Sequence, residues 1–286
     1  MEKPGLVNLL KELKSRGLLN IKAEYEAEGS TDEEIFFLKD ICDSAGLGLH
    51  VKIGGVEAKR DFRRCLIIGV EGIIAPMVEN EFCASKFIGM FESDEEFYGK
   101  KIWDVHRSIN IETKYAIPQI DNIIERVGDQ IHNITIGRTD LSASYFDERI
   151  KQGHEEVTKS IEKVLVSIQN SKKNIIMTVG GGVTLETVKP ILENNFLIEN
   201  IEAIETRKCR IDAKKIIEDP IIIEDILEFE MAYLQNRANE KKVQYLDKSK
   251  LEKLHSLDTT TANARLKDLK SRLSKKWNTL TSLLSN

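Results

Sequence analysis

The strongest constraint on the fold is a regular alternation of short strand-like runs with longer amphipathic runs between residues 19 and 212. Most strand-like runs are rich in Ile, Val or Thr, and they occupy Leu19–Glu26, Leu49–Ile53, Gly72–Pro76, Ser108–Glu112, Asn133–Gly137, Asn174–Val179 and Ile201–Thr206. This alternation predicts a parallel sheet joined by crossover helices, either open or closed into a barrel. We predict a TIM-type (β/α)8 barrel, modified or with one strand that the sequence does not reveal. A helix over Gly5–Gly17 is expected before the first strand.

The composition narrows the class of protein. The chain has 286 residues, 41% hydrophobic and 31% charged, and its formal net charge is −5. This acidic balance argues against nucleic acid as a partner, and no apolar run approaches the length of a membrane span. The N-terminal residues lead into an amphipathic stretch rather than a signal peptide. The four cysteines lack CxxC or zinc-like spacing, which is typical of inert thiols in a reducing compartment, so we expect a cytoplasmic protein.

A change of character after Pro220 predicts two regions. Residues 1–220 form the predicted barrel, and residues 221–286 form a C-terminal helical extension with helical patterns over Ile221–Leu246 and Leu251–Leu254. Farther on, apolar residues recur at helical spacing opposite a Lys- and Arg-rich face; they are Leu266, Leu269, Leu273, Trp277, Leu280 and Leu284. Such a stripe can bind a membrane or nucleic acid, but packing on its own barrel or on a neighbouring subunit is more common.

The strands carry polar residues on one face, which is unusual for a barrel. The first strand has Lys22, Glu24 and Glu26 on one face, and the second has His50 and Lys52. Because helices must cover the apolar faces, the polar faces should point into the barrel. Buried charges are costly unless they are paired, so we expect an inward network of both signs. The alternative is that these strands are partly solvated edges, since an error of one residue in register reverses the faces.

Two carboxylates follow strand-like runs and form the first candidate site. Glu112 ends one run, and Asp140 follows the next one. In parallel α/β sheets functional groups gather at the carboxyl ends of the strands, so the two carboxylates should lie close together. Oxygen ligands of this kind suit Mg²⁺ or another hard divalent cation. Taken alone, either carboxylate is equally well explained as an N-terminal residue of a following helix, such as the helix expected over Thr113–Val127.

Three motifs give the chain a family resemblance. The runs Gly72–Glu79, Ile111–Thr113 and Gly137–Ser144 resemble, in order and approximate spacing, the HpcH/HpaI aldolase and citrate lyase beta-subunit family. The similarity extends over roughly residues 19 to 210. It implies a modified TIM barrel, often assembled as trimers or hexamers. It also implies cleavage or formation of carbon–carbon bonds next to the carbonyl of a 2-keto acid, or cleavage of citryl-CoA-type thioesters, with Mg²⁺ or another divalent ion.

The resemblance also assigns residues. Glu112 and Asp140 match the two metal carboxylates of the family, and the backbone around Thr139 and Asp140 matches the segment that contacts the substrate carboxylate. Lys52 occupies the position where the family usually has an arginine that polarises the keto oxygen. Lysine is a point charge without the bidentate fork of arginine, so this is a departure from the family pattern.

A second departure concerns the base for aldol cleavage. The aldolase branch carries a histidine just after its acidic strand end, whereas Glu24–Gly29 contains none. Cleavage needs a group that accepts the hydroxyl proton. Glu26, Glu28, His50 or a metal-bound water would have to serve, and we take Glu26 as the candidate.

Other rim residues have two possible roles each. Arg138 could bind a second substrate carboxylate or phosphate, or pair with Asp140 or a helix end. Glu79 could orient a neighbour or belong to the first turn of the next helix. The run Val179–Thr184 could bind an anion through the amides of Gly181 and Gly182, or form a tight turn that needs positive φ. Three charged residues should lie near the same rim, where they hold substrate or close the inward network: Glu205, Arg207 and Arg210.

These observations favour a metal-dependent carbon–carbon lyase of the aldolase type. The substrate would be a 2-keto acid or its aldol adduct, and the reaction would pass through an enolate stabilised by Mg²⁺ or Mn²⁺. One alternative is a citrate-lyase-like enzyme acting on an acyl-CoA thioester. Another is a non-catalytic barrel whose C-terminal helices bind a partner. We expect a homo-oligomer in either enzymatic case.

Overall fold

The computed structural model describes residues 2–241 together with Lys267, Leu269 and Ser271. Its elements, in chain order, are α1 (Lys3–Ser15), β1 (Leu18–Glu24), α2 (Asp32–Ala45), β2 (Gly48–Lys52), α3 (Lys59–Ile68), β3 (Gly72–Ala75), α4 (Glu81–Tyr98), β4 (His106–Ile111), α5 (Ile120–Val127), β5 (Asn133–Gly137), α6 (Arg138–Ala143), α7 (Glu155–Ser171), β6 (Ile176–Gly180), α8 (Leu185–Leu192), α9 (Asn195–Asn200), β7 (Ala203–Glu205), β8 (Cys209–Asp212), α10 (Ala213–Glu218) and α11 (Ile222–Lys241). Two short 3₁₀ turns lie at Lys100–Asp104 and Ile117–Gln119.

The strands close into a barrel in the order β1 to β8, which confirms the predicted α/β barrel. Strands β1 to β7 run parallel, but β8 is antiparallel to both β7 and β1. This is the strand that the sequence did not reveal, and it forms a hairpin with β7 through residues 206–208. The barrel therefore ends in a hairpin rather than in an eighth parallel strand.

The strand faces divide as the alternation predicts. Outward side chains such as Ile21 and Val51 are fully buried beneath the helices. Inward side chains include charged groups that are also buried, among them Lys22, Glu24 and Lys52. The Lys22 Nζ atom on β1 lies 2.5 Å from Oε1 of Glu205 on β7, and β8 lies between these two strands. The expected interior network of both signs is confirmed.

Helix boundaries follow local capping chemistry. Helix α2 begins with a capping box between Thr31 and Glu34 and ends at Gly46, which adopts a left-handed conformation. The helix expected over Thr113–Val127 is shorter than predicted, because a 3₁₀ turn that contains Pro118 occupies Ile117–Gln119 and α5 begins only at Ile120. Glu112 is therefore not the N-terminal residue of a helix.

The first helix of the predicted C-terminal extension packs on the barrel. Arg16, which follows α1, pairs with Asp219 and with Asp225 of α11, each at 2.7 Å. Apolar residues of α11, including Phe229, belong to the same buried core as the barrel. Leu269 of the predicted stripe is also buried. The segment Leu251–Leu254 and most of the stripe lie outside the described residues, and a boundary at residue 220 stays a prediction.

Two further features bear on class. Within the part of the chain that is described, no helix combines the length and apolar character needed to cross a membrane. The cysteines are free thiols, and Cys42, Cys65 and Cys209 are buried. Burial raises the pKa of these three thiols above its ordinary value. They fit the expectation of unreactive core residues.

Candidate functional site

Glu112 is a buried carboxylate held in a fixed position directly after β4. Its Oε1 atom accepts a hydrogen bond from Asn110 Nδ2 at 2.9 Å, and Oε2 accepts one from the Met77 amide at 3.1 Å. Gly137 of the neighbouring strand makes room for it, because a Cβ atom there would lie 2.6 Å from Oε1. The carboxylate is oriented from three directions, and each oxygen keeps lone-pair capacity for a further partner.

The amide that holds Glu112 comes from a strained residue. Met77 has φ of 49°, in the left-handed region that residues other than glycine adopt at a cost. Strain of this kind persists only where the surroundings impose it, and it is concentrated at functional sites. Here the conformation directs the Met77 N–H toward the carboxylate.

Asp140 is the second carboxylate, and it lies in the first turn of α6 directly after β5. Asp140 is exposed, whereas Glu112 is buried. Burial raises the pKa of Glu112, opposed by the Lys52 charge and the two hydrogen bonds. Partial burial likewise raises the pKa of Asp140, opposed by Lys52 and assisted by the negative charge of Glu26. Each carboxylate therefore resists ionisation in the absence of a cation.

Lys52 lies at the end of β2 among these acids. Its Nζ atom is 2.7 Å from Glu26 Oε2 and 3.5 Å from Glu24 Oε1. Burial opposes the lysine charge, but the fields of Glu24 and Glu112 outweigh it and raise the pKa of Lys52. The ammonium is thus retained as a fixed positive charge, and its field reaches both Glu112 and Asp140.

The charge balance of this rim fits a bound cation. Four carboxylates, those of Glu24, Glu26, Glu112 and Asp140, face two cations, Lys52 and Arg207, which leaves an excess of two formal negative charges. Oε2 of Glu24 is buried and accepts no hydrogen bond from a described residue. The hard oxygen donors suit Mg²⁺ or Mn²⁺.

The donor set is incomplete for a cage made of protein alone. Among the described residues, no group of three or more His, Cys, Asp or Glu side chains forms a metal cluster. A cation held by Glu112 and Asp140 would complete its coordination with water and substrate, as Mg²⁺ sites commonly do.

Arg138 lies in the wall of the site. The residue is 1% exposed, and its guanidinium donates to the carbonyl oxygens of Gly180, Gly181 and Thr187 at 3.1, 3.0 and 2.5 Å. These bonds tie α6 to the loop after β6. The geometry gives Arg138 a positioning role beside the exposed Thr139.

The glycine loop after β6 needs its glycines. Gly181 and Gly182 have φ of 86° and 59°, so the loop forms a tight turn that needs positive φ. A Cβ atom on Gly181 would lie 2.5 Å from the Thr139 amide nitrogen, so the loop backbone passes directly against the start of α6. The amide of Thr184 is satisfied by Thr187 in a capping box. Anion binding by this loop stays a prediction.

Of the other candidate bases, two are engaged elsewhere. Glu28 pairs with the buried Lys208. The His50 ring packs beside His106 with centroids 4.9 Å apart, near the start of β4 rather than its end. Glu26 remains beside Lys52 at the carboxyl ends of the strands. Glu79 accepts a hydrogen bond from Thr113 at 2.7 Å and so orients the residue next to Glu112.

Several rim residues were not in the predicted site. Asn110 was detectable in principle, because it lies two residues before Glu112 on the same face of a strand. Glu24 was recognised as an inward residue but not as part of the site. Nothing in the sequence indicates the strained conformation of Met77 or the close approach of Gly137, which depend on contacts between strands.

Comparisons with known proteins agree with this geometry. The family model described as HpcH/HpaI aldolase/citrate lyase matches residues 35–188, just over half of the chain. The match spans Lys52, Glu112, Asp140 and the glycine loop. It does not include β1 or the β7–β8 hairpin. No significant match to a curated protein was found.

Many solved structures are similar in fold, and three of them illustrate the similarity. An HpcH/HpaI aldolase from Desulfitobacterium hafniense DCB-2 is 18% identical, with 72% of this chain and 82% of that chain covered and a TM-score of 0.56. An HpcH/HpaI aldolase/citrate lyase family protein from Burkholderia cenocepacia J2315 is 14% identical, with 70% and 82% covered and a TM-score of 0.55. The citrate synthase SbnG is 16% identical, with 82% and 90% covered and a TM-score of 0.56. At these identities the structures show the fold alone.

Proposed function

The chain belongs to the HpcH/HpaI aldolase/citrate lyase family, and we propose that it is a divalent-metal-dependent carbon–carbon lyase acting on a 2-keto acid or its aldol adduct. The observation that best supports this proposal is the pair Glu112 and Asp140. The two carboxylates follow neighbouring parallel strands and share the field of Lys52. A cytoplasmic location is part of the proposal.

Each residue has a role that follows from its position. Glu112 and Asp140 would hold Mg²⁺ or Mn²⁺, which when bound supplies a Lewis acid that stabilises negative charge developing on the keto oxygen. Lys52 adds a fixed positive charge near the same oxygen. The backbone around Thr139 would contact the substrate carboxylate, with Arg138 and the loop containing Gly181 and Gly182 keeping that backbone in place.

Proton transfer is assigned to Glu26. In the direction of cleavage its carboxylate would accept the hydroxyl proton of the aldol adduct at an Oε atom while the carbon–carbon bond breaks. Glu26 is partly exposed, with 27% of its side chain accessible, so a substrate can reach it. Its ion pair with Lys52 fixes its orientation.

Exchange of substrate protons with solvent tests the proposal. The protein is incubated with Mg²⁺ or Mn²⁺ and pyruvate in D₂O, and deuteration of the methyl group is followed by NMR. We expect exchange in the wild type and a loss of about 100-fold or more in Glu112→Gln and Asp140→Asn, since each removes a charged carboxylate that would hold the cation acting on the reacting oxygen.

A matched control is available on the neighbouring helix. Glu81→Gln changes an exposed carboxylate in the first turn of α4 and should leave the exchange rate near that of wild type. Absence of exchange with pyruvate, oxaloacetate and longer 2-keto acids in the wild type would exclude the keto-acid proposal.

A citrate-lyase-like reaction on an acyl-CoA thioester is the second candidate. The fold similarity to the citrate synthase SbnG is the observation that favours keeping it. Saturable binding of acetyl-CoA in calorimetry, together with no exchange of pyruvate protons, would favour this candidate over the first.

We also propose that the chain forms a homo-oligomer. A truncated variant tests this association, and the activity of the intact chain tests the alternative of a non-catalytic barrel that binds a partner. Deleting residues 257–286 removes the apolar stripe, including the buried Leu269. If the stripe serves association, light scattering will show a smaller assembly while the exchange activity of the barrel persists. Full activity of the intact chain without a partner would contradict the non-catalytic alternative.

A further inference from the structure

The turn between β7 and β8 presents one arginine at the rim of the site. Residues 206–208 connect the two strands, and Arg207 is exposed whereas its neighbours Thr206 and Lys208 are buried. The β7 strand is parallel to β1, so this turn lies at the same end of the barrel as Glu112 and Asp140. The turn therefore carries a single accessible side chain toward the proposed active site.

The backbone of the turn is held on three sides. Within the turn, Thr206 N donates to Cys209 O at 2.8 Å. On the β1 side, Lys22 N donates to Lys208 O at 2.7 Å. On the other side, buried Glu230 of α11 accepts hydrogen bonds from the Thr206 hydroxyl and, at 2.9 Å, from the Lys208 amide. A backbone fixed in this way presents Arg207 at a defined position.

The buried Lys208 strengthens the same anchor. Its ammonium pairs with Glu28 and lies 5.3 Å from the centre of the Tyr233 ring on α11. Lys208 is thereby committed to holding β1, the turn and α11 together, which leaves Arg207 as the cation that this turn offers to the site.

The guanidinium of Arg207 is far less engaged than the other cations of the barrel. Lys22 and Lys52 have carboxylate partners within 2.7 Å, and Arg138 donates to three carbonyl groups. Within residues 2–241, the one ion pair of Arg207 is with Glu24 Oε2 at 3.5 Å, and 45% of its side chain is accessible. Most of its five N–H donors remain available for planar, bidentate recognition of a carboxylate or a phosphate.

The surrounding charge makes such a donor necessary for some substrates. The rim is rich in carboxylates, and Lys52 is already enclosed by Glu24 and Glu26. A substrate with a second anionic group beyond the keto acid would be repelled unless a cation met that group. Arg207 is accessible and lies beside Glu24 of the same rim, so it is the side chain suited to this task.

We propose that Arg207 binds a second anionic group, carboxylate or phosphate class, at the end of the substrate remote from the 2-keto acid. Because it names the substrate class of the same site, this proposal rests on the proposed function. The family-model match ends at residue 188, so Arg207 lies in a part of the chain outside that match.

Matched pairs of keto acids test the proposal. With Mn²⁺ present, proton exchange at C3 is measured for oxaloacetate against 2-oxobutanoate and for 2-oxoglutarate against 2-oxopentanoate. The members of each pair have the same chain length and differ in the second carboxylate. A phosphonate in place of that carboxylate, as in 2-oxo-4-phosphonobutanoate, distinguishes a phosphate site from a carboxylate site.

The readout is the ratio of kcat/KM for the diacid to kcat/KM for the monoacid. We expect the wild type to prefer at least one dianionic substrate, and Arg207→Gln to reduce that ratio by about tenfold or more, mainly through KM. Arg149→Gln, at another exposed arginine, is the control and should leave the ratio unchanged. Equal losses for both members of a pair, or no preference in the wild type, would overturn the proposal.

Glu230 supplies a second variant that acts only through the turn. Glu230→Gln keeps an oxygen that can accept from Thr206 and Lys208, so the ratio should be retained. Glu230→Ala removes that anchor and should lower the ratio toward the Arg207→Gln value. An unchanged ratio in a folded Glu230→Ala variant would show that the turn needs no support from α11.

Binding measurements keep this proposal separate from the proposed function. Calorimetry of the same acids with the protein and Mg²⁺ needs no turnover. If exchange is absent but the wild type binds the diacid more tightly and Arg207→Gln does not, the anion site stands and the lyase proposal fails. If exchange occurs with no dependence on Arg207, the lyase proposal stands and the anion site fails.

Discussion

Polar side chains point inward at both ends of the barrel, but the two ends differ in the charge of these side chains. Near the starts of the strands, His106 stacks between His50 and His132 at centroid distances of 4.9 Å on each side. The Nδ1 atom of His132 accepts a hydrogen bond from the Arg107 amide at 3.0 Å. Burial lowers the pKa of each of these histidines. The three imidazole rings are therefore neutral, and the buried cations Arg107 and Arg210 contribute to their lowered pKa values.

At the carboxyl ends of the strands, like charges accumulate. Glu24, Glu26, Glu112 and Asp140 outnumber the cations Lys52 and Arg207. The raised pKa values of Glu112 and Asp140 follow from burial and from neighbouring acids. The comparison shows that a polar interior does not in itself mark a functional site. The site is the end at which the charges do not balance without a ligand.

A Gly→Ala substitution should have different consequences at the two ends of the barrel. This is the largest difference that we expect between the ends. In Gly137→Ala the new Cβ meets Glu112 Oε1 at 2.6 Å, and in Gly72→Ala it meets the His50 ring at 2.5 Å. We expect Gly137→Ala to reduce the exchange rate about 10- to 100-fold by displacing the carboxylate. Gly72→Ala should cost about 1–3 kcal/mol of unfolding free energy and leave exchange near the wild-type rate.

Urea unfolding and the D₂O exchange assay on both variants measure this contrast. Gly89→Ala is the control, since a Cβ there meets no atom within 4 Å and the site lies inside α4. Loss of exchange in Gly72→Ala at unchanged cation affinity would contradict the division between a structural end and a chemical end.

The acidic end should lose its cation as the pH falls. Because the pKa values of Glu112 and Asp140 are raised, their protonated forms persist to a higher pH than in free carboxylic acids. A cation needs the ionised forms, so its apparent affinity should fall as the pH drops through the raised pKa values. The apparent cation affinity can fall by at most about tenfold per pH unit for each proton displaced.

Titration of Mn²⁺ at several pH values by electron paramagnetic resonance measures this dependence. Glu112→Gln removes one competing proton, so its remaining binding should depend less steeply on pH. A wild-type affinity that does not change between pH 7.5 and the acid range would contradict the assignment of these two carboxylates.

The histidine end should respond to pH in stability rather than in binding. Burial and the neighbouring His132 lower the pKa of His106 to about 3. The unfolded chain takes up a proton near pH 6.5 but the folded chain does not, so the stabilisation is present above pH 6.5 and is lost as the pH falls below it. At pH 5.5 the loss is about 1.4 kcal/mol for this one residue.

His106→Gln checks that value, because glutamine has no proton to take up. Urea unfolding of the wild type and the variant at pH 7.5 and 5.5 should show the variant gaining about 1.4 kcal/mol relative to the wild type. Equal slopes of unfolding free energy against pH in both proteins would show that His106 does not remain neutral in the folded barrel.

Much of the barrel follows from the sequence because its strands obey a period of two under amphipathic helices. Seven strands were predicted on that basis, within a few residues of their observed bounds. The eighth was missed because Cys209–Asp212 is short, contains Arg210 and Asp212, and follows a three-residue turn instead of a helix. Alternation between strand and helix cannot reveal a strand that has no helix before it.

The candidate site was only partly predictable, for a related reason. Glu112 and Asp140 stand next to strand ends in the chain, so local sequence locates them. The contacts of Arg138 with Gly180 and Gly181 depend on how two neighbouring loops meet. Arg207 was expected near the rim with Glu205 and Arg210, but the sequence did not show that β7 ends at Glu205 and that the arginine lies on a turn. Contacts across the sheet decide these cases, and no local pattern encodes them.

The antiparallel last strand also determines when the barrel can close during synthesis. Ile21 of β1 pairs with Cys209 of β8. The second edge of β1 therefore stays unpaired until almost the whole barrel has left the ribosome. Until then β1 and β7 both present unpaired edges, which are templates for association with other chains. A chain that stops before Cys209 is therefore expected to aggregate, and four residues near the end of the barrel protect the rest of it.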